Sequence, residues 1–83
     1  MKNTQVSFSQ LRRLLASLDF TETRLDKGWK CEHPPSGTVF LFRPYQLNEK
    51  ITMADLLTTR MQLDWRGLLS AHAFDNSLEK APA

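Results

Sequence analysis

The chain of 83 residues has little of several features that mark particular classes of protein. Its one cysteine, Cys31, has no internal disulfide partner, and no Cys/His set has the spacing of a zinc site. No apolar run reaches the roughly 18 residues of a membrane span, and the N-terminal stretch lacks the apolar core of a signal peptide. These absences predict one small cytoplasmic domain in a reducing compartment, with no membrane span, metal or cofactor.

The net charge is also low, because eleven Lys and Arg residues stand against nine Asp and Glu residues, which gives +2. That balance is too weak to indicate nucleic-acid binding by itself, since such proteins usually carry a basic stripe. Within residues 24–43, however, four basic residues stand against two acidic ones. Lys27, Lys30 and Arg43 are therefore the candidates for phosphate contacts with RNA, and an ordinary solvated face is the alternative.

Three segments have helical patterns. Residues 8–19 repeat apolar side chains every three or four positions, and Ser7 with Gln10 has the form of a capping box. A second helix is predicted to begin after Thr52 and to end near Gly67. Its predicted apolar face is broad and comprises Met53, Leu56, Leu57, Arg60, Met61 and Leu63. A short last helix is predicted within residues 70–78.

Between the first two helices, residues 20–42 have the pattern of three strands. A tight turn around Gly28 and a second turn, "PPSG", separate them. In the middle strand Trp29, Cys31 and His33 alternate with charged residues, which is typical of a half-buried strand. The third strand, "TVFLF", is apolar on both faces, which indicates that something beyond the helices contacts it.

Together these elements predict an α+β domain of order α-β-β-β-α with a short C-terminal helix. A three-stranded antiparallel sheet packs one face on two helices, and its other face is left to solvent or to a partner. The predicted domain spans residues 7–78, between a flexible leader (residues 1–6) and a flexible tail (residues 79–83).

The stretch "CEHPPSGTVFLFRP" combines a strand, a His-Pro pair, a turn and an apolar strand that ends in proline. With the preceding "SLDF" and the following "DLLTTRMQLDWRGLL", it resembles the HicA-like family of toxin–antitoxin proteins. The resemblance covers roughly residues 7–78 and rests on this pattern rather than on one specific motif. It implies a double-stranded-RNA-binding-like fold, ribonuclease activity on mRNA and a HicB-type antitoxin as partner.

The sequence departs from that family at the catalytic position. The family's histidine begins the second strand, and the corresponding place here is Gly28, Trp29 or Lys30. Tryptophan accepts no proton, and lysine with its ordinary pKa of about 10.4 is protonated at neutral pH. The resemblance therefore carries over the fold better than the catalysis. His33 is the candidate for a relocated general acid or base, and a residue that fixes the Pro-Pro turn is the alternative.

Three interpretations remain open from the sequence. The first is a non-catalytic HicA-like domain that binds RNA through Lys27, Lys30 and Arg43, or an antitoxin-like protein. The second is an active ribonuclease that uses His33, and the third is a self-associating structural module. The residues predicted to contact a protein partner are Trp29, Phe40 and Phe42. Trp29 could instead stack on a nucleic-acid base, but a strand tryptophan more often packs on a core or a partner. Cys31 is expected to be buried.

Overall fold

The computed structural model describes residues 6–80, and within them it confirms the predicted α+β fold. One helix precedes a three-stranded antiparallel sheet, and two helices follow it. In chain order the elements are α1 (Phe8–Ser17), β1 (Thr21–Leu25), β2 (Gly28–His33), β3 (Thr38–Phe42), α2 (Met53–Trp65) and α3 (Ala71–Lys80). No helix in this part of the chain is long and apolar enough to cross a membrane.

Helix α1 begins at the predicted capping box. The Ser7 Oγ accepts the Gln10 amide at 3.2 Å, and the Gln10 Oε1 accepts the Ser7 amide at 2.8 Å. Two amide donors at the helix start are thereby satisfied. The helix buries one apolar row against the sheet, formed by Phe8, Leu11, Leu14 and Leu15.

The sheet has strand order β1-β2-β3, and its two faces differ. The face toward α1, which we call the covered face, includes Cys31 opposite Phe40. Aromatic rings close this face, with the centroid of Phe8 5.2 Å from that of Trp29 and 5.6 Å from that of Phe42. The opposite face, which we call the open face, includes the cross-strand rows Thr23-Lys30-Leu41 and Thr21-Glu32-Val39.

Gly28 lets β2 and β3 approach closely where β2 begins. Its φ is +155°, in the region that favours glycine. A Cβ atom there would collide with the carbonyl oxygen of Phe42. The turn before β2 therefore needs glycine for space as well as for conformation.

Helix α2 buries a narrower row than the sequence predicts. Thr52 caps it, since its Oγ1 accepts the Asp55 amide at 3.2 Å. Only Leu56, Thr59 and Leu63 of α2 are buried. The prediction of a broad buried face is therefore wrong for one side of the helix. The helix meets the core along this row alone, and the exposed apolar residues are Met53, Leu57, Met61 and Trp65. Arg60, which the sequence places on the apolar face, forms an ion pair with Asp75 of α3 at 2.9 Å.

Residues near both predicted ends of the domain belong to its folded part. Val6, predicted to belong to the leader, is buried, and its carbonyl accepts the Ile51 amide at 2.9 Å. Ser70 caps α3 through the Ala73 amide at 3.1 Å, and the helix continues to Lys80, beyond the predicted end at residue 78. The rest of the predicted leader and tail, residues 1–5 and 81–83, lies outside the described residues.

Candidate functional site

His33 lies at the end of β2 and is bonded to its own turn. Its Nδ1 is 2.8 Å from the Ser36 Oγ, which is in turn 2.7 Å from the Thr38 Oγ1. The imidazole also packs on Phe20, with 5.3 Å between the ring centroids. These contacts join the two strands across the "PPSG" turn and favour the turn-fixing interpretation of His33; its catalytic role stays a prediction.

The three basic candidates for RNA contact are spread over separate positions. Lys27 lies in the exposed turn between β1 and β2. Lys30 lies on the open face with its Nζ 3.7 Å from a carboxylate oxygen of Glu32. Arg43 follows β3 with its Nε 3.6 Å from a carboxylate oxygen of Asp55. Two of the three cations thus already face an acid, and their RNA-binding role stays a prediction.

Trp29 is half-buried and held on several sides. Its ring packs on Phe8, and the guanidinium carbons of Arg12 and Arg24 lie 5.1 Å and 4.5 Å from its ring centroid. Its indole N–H donates to the Tyr45 carbonyl at 3.1 Å. The side chain therefore acts as packing in this structure, which is the alternative that the sequence favoured.

The two aromatic residues predicted to contact a partner, Phe40 and Phe42, lie in the core. They are 7% and 6% exposed, and a partner would have to open the core to reach them. Their neighbours on the open face, Val39 and Leu41, are 44% and 72% exposed. The alternation of β3 identifies both sets in the sequence, but it does not tell which face the helices cover.

The outer edge of β3 has unpaired backbone groups that the sequence reasoning missed. A two-residue turn joins β1 and β2, so the closing pair Leu25–Gly28 must be bonded in both directions. Bonding then alternates along β2, and Cys31 directs its backbone groups to Phe40 of β3. The N–H and C=O groups of Val39 and Leu41 consequently point away from the sheet, and no other backbone group in residues 6–80 bonds to them.

A groove of about 330 Å³ lies between this edge and helix α2, and we call it the β3 groove. Residues 39–42 form one wall. The opposite wall includes Asp55, Thr58 and Gln62 of α2 and Arg66, which follows the helix as its C-cap. Asp55 is next to Arg43, whereas Arg66 lies eleven residues, or about 16 Å, further along the helix. The two opposite charges therefore mark the two ends of the groove.

The acidic end of the groove is held in place by Tyr45. Its buried hydroxyl donates to a carboxylate oxygen of Asp55 at 2.6 Å and accepts the Thr52 amide at 3.1 Å. The Arg43 guanidinium contributes the ion pair described above. Because these bonds join the segment after β3 to the first turn of α2, they position the helix beside the strand.

Cys31 is the one buried thiol of the sheet. Burial raises its pKa to about 11, and the nearby Glu22 carboxylate adds to this, while Arg12 acts in the opposite direction. Little thiolate exists at neutral pH, so the residue is a packing element rather than a nucleophile. Among the described residues no group of three His, Cys, Asp or Glu side chains is arranged to hold a metal ion.

The fold and this surface define a small α+β domain in which the unpaired edge of β3 lies beside a groove. Comparisons of the chain with protein-family models, with curated proteins and with solved structures find no match. The functional argument therefore starts from the surface itself, and the HicA-like resemblance rests on the sequence pattern alone.

Proposed function

We propose that this chain is a non-catalytic HicA-like domain that acts in the cytoplasm by binding a protein partner at the β3 side of its sheet. The observation that carries this proposal is the exposure of Leu41 and Val39 beside an unpaired strand edge. A strand edge with free donors and acceptors and apolar neighbours is a template for pairing with another chain.

Binding rather than catalysis is supported by the residues at the family's catalytic position. Trp29 is held by packing and by its bond to Tyr45, and its indole ring has no proton-accepting atom. Lys30 is on the opposite face of the sheet, beside Glu32. His33 is bonded to Ser36 within its own turn.

A protein partner is favoured over RNA because of the charges around the basic candidates. A phosphate group at Lys30 or Arg43 would approach Glu32 or Asp55 as well, and each such approach costs free energy through repulsion. The apolar side of β3 has no such conflict. In the HicA-like interpretation the partner is an antitoxin-like protein of the HicB type, encoded beside this chain.

The test is to co-express the chain with the product of the neighbouring gene and to measure the affinity of the purified pair by calorimetry. We expect Leu41→Lys to weaken the complex at least tenfold. Leu57→Lys is the matched control, because Leu57 is an equally apolar, exposed residue on α2. If no complex forms, or if both variants bind as the wild type does, the proposal is wrong.

RNA binding is tested separately, by filter binding of labelled single-stranded and duplex RNA at two salt concentrations. We expect no binding that depends on Lys27 or Arg43. Salt-sensitive binding that is lost in Lys27→Ala and Arg43→Ala but kept in Leu41→Lys would replace the protein partner by RNA.

The catalytic alternative is tested by inducible expression of the wild type and of His33→Asn, with growth and bulk mRNA decay as readouts. Asparagine retains a side-chain amide near the position of the Nδ1 that contacts Ser36, so the turn is preserved. We expect neither chain to arrest growth. Arrest and mRNA loss with the wild type alone would establish His33 as a relocated base.

A further inference from the structure

We infer that the β3 groove receives an extended segment of a protein partner as a fourth strand. The segment runs antiparallel to β3 and places an acidic side chain at its C-terminal end, toward Arg66. This inference rests on the proposed function and names the chemistry of the partner at that surface.

The backbone of β3 already has the hydrogen-bonding pattern that such a strand requires. Val39 and Leu41 direct their N–H and C=O groups outward and are two positions apart, a repeat of about 7 Å along a strand. An antiparallel segment would pair with both residues through four hydrogen bonds. The affinity of the backbone contacts does not depend on the segment's sequence, so the side chains must supply the specificity.

The edge of β3 also lacks the features that prevent strand addition. Its five residues include no charge and no proline. Natural edge strands are commonly protected by charged side chains, prolines or bulges. An unprotected edge on a small domain is a binding surface or an aggregation hazard, and the adjacent groove favours the first.

Successive side chains of the bound segment would point to opposite faces of the sheet, which determines the side chains that face the groove. Residues opposite Leu41 and Val39 would point to the open face and contact those two side chains, which favours valine or isoleucine. The residue between them would point toward Thr58 and Gln62 of α2, which favours a hydroxyl or amide. The segment therefore alternates apolar and polar residues.

Charge decides the direction of the segment. Asp55 is already compensated by Arg43 and bonded to Tyr45, so its end of the groove is close to neutral. Among the side chains of residues 6–78, Arg66 has no ion-pair partner and bonds only weakly to Gln62, with Nε 3.4 Å from Oε1. An acidic residue beyond Val39 would approach this free guanidinium, and in an antiparallel strand that position is the C-terminal one.

A second copy of this chain is a weaker fit to the same groove. Its β3 would place Thr-Val-Phe-Leu-Phe in the groove and would supply no carboxylate to Arg66. It would also bring its own α2 to the same edge, where α2 of the first copy already lies. Self-association is therefore one of the outcomes that the test separates.

The test uses two synthetic peptides with the same composition, the first containing Lys-Val-Thr-Val-Glu and the second Glu-Val-Thr-Val-Lys. Fluorescence anisotropy of labelled peptides measures binding to the full chain. We expect the first peptide to bind at least tenfold more tightly, and Arg66→Glu to reverse that preference. Equal affinities, or an unchanged preference in Arg66→Glu, would contradict the assigned direction.

The edge itself is tested by Val39→Pro, which removes one outward N–H and keeps the bonds to β2. The matched control is Arg24→Pro, which removes an outward N–H from the opposite edge of the sheet. We expect only Val39→Pro to lose peptide binding. Hydrogen exchange of the wild-type chain adds a readout that needs no variant, since the Val39 and Leu41 amides should be protected by the first peptide at least tenfold.

The outcomes separate this inference from the proposed function. If the neighbouring protein binds through Leu41 but neither peptide binds or protects the edge, the fourth-strand inference fails and the proposed function stands. If light scattering shows a dimer that Val39→Pro disrupts, the groove's occupant is a second copy and the inference is wrong. If RNA binds and no protein does, both are wrong.

Discussion

The two outer strands of the sheet, β1 and β3, pair with the same central strand but have different surfaces. All five residues of β1 are exposed, and they include Glu22 and Arg24. Strand β3 alternates buried and exposed residues and has no charge. One edge of the sheet is therefore polar and protected, and the other is apolar and open.

Helix α1 contributes an ion pair to the side chains of the β1 edge. Arg12 holds Glu22 through two bonds of 2.6 Å and 2.7 Å, and its guanidinium also lies over the Trp29 ring. On the β1 side, the core of the covered face is therefore bordered by the charged side chains of Arg12 and Glu22. On the β3 side the core is closed by Phe40 and Phe42, and the strand's outer groups remain available. The difference shows that one strand can contribute to the core and still leave its outer backbone groups unpaired.

The largest effect should come from replacing neighbours in β3 that lie on opposite faces. Phe40→Ala removes a core ring and should reduce the free energy of unfolding by about 3–5 kcal/mol. Leu41→Ala removes an exposed side chain and should stay within about 0.5 kcal/mol. Urea denaturation followed by tryptophan fluorescence measures both. Similar losses in the two variants would mean that the open face is covered in solution.

A second effect concerns the attachment of β3 to β2. Gly28→Ala should cost about 1–3 kcal/mol from backbone strain, with the collision against the Phe42 carbonyl adding to it. Gly37→Ala is the control, because its φ is +72° but no atom lies within 4 Å of the added Cβ. Thermal unfolding of both variants should show the larger loss for Gly28→Ala. The reverse order would disprove the close approach of the strands.

A smaller effect is expected from the charged cluster at the β1 edge. Glu22→Gln removes the ion pair with Arg12, which is partly exposed, and should cost less than about 1 kcal/mol. Added salt should reduce the difference from the wild type, because ions screen such pairs. The measurement is urea denaturation at low and high salt. A loss above about 2 kcal/mol would show that β1 contributes to the core more than its exposure indicates.

The last prediction concerns the chemical reactivity of Cys31, which reports on the centre of the sheet, and no change in stability is involved. With its pKa raised to about 11 by burial, thiolate formation and thiol labelling should rise about tenfold per pH unit between pH 7 and 10. Ellman's reagent under native conditions measures the rate, and unfolded chain in urea is the control. Rapid labelling of the native chain at pH 7 would mean that the sheet opens readily.

Local chemistry made much of the fold predictable from the sequence. Ser7 with Gln10 and Thr52 with Asp55 are short-range capping signals, and the structure begins α1 and α2 where they indicate. The turn before Gly28 and the strand that follows it likewise depend on neighbouring residues. These predictions are confirmed because each feature is determined within a few residues of chain.

Predictions that depended on long-range packing were less accurate. Leu56 and Leu57 are identical side chains one position apart, yet only Leu56 is buried, since α2 meets the core along one row. The choice between the two faces of β3, and the burial of Val6, depend on where the helices lie. The β3 groove belongs to this class, because residues 39–42 and Arg66 are far apart in sequence.

The Tyr45 hydroxyl, bonded to Asp55 and to the Thr52 amide, has a mechanical consequence for binding. These bonds fix the distance between β3 and α2 before any segment binds. For the proposed fourth strand, the groove would therefore be preorganised, and the loss of conformational entropy on binding would fall on the incoming segment. Association should then be limited by the ordering of the ligand rather than by a rearrangement of this domain.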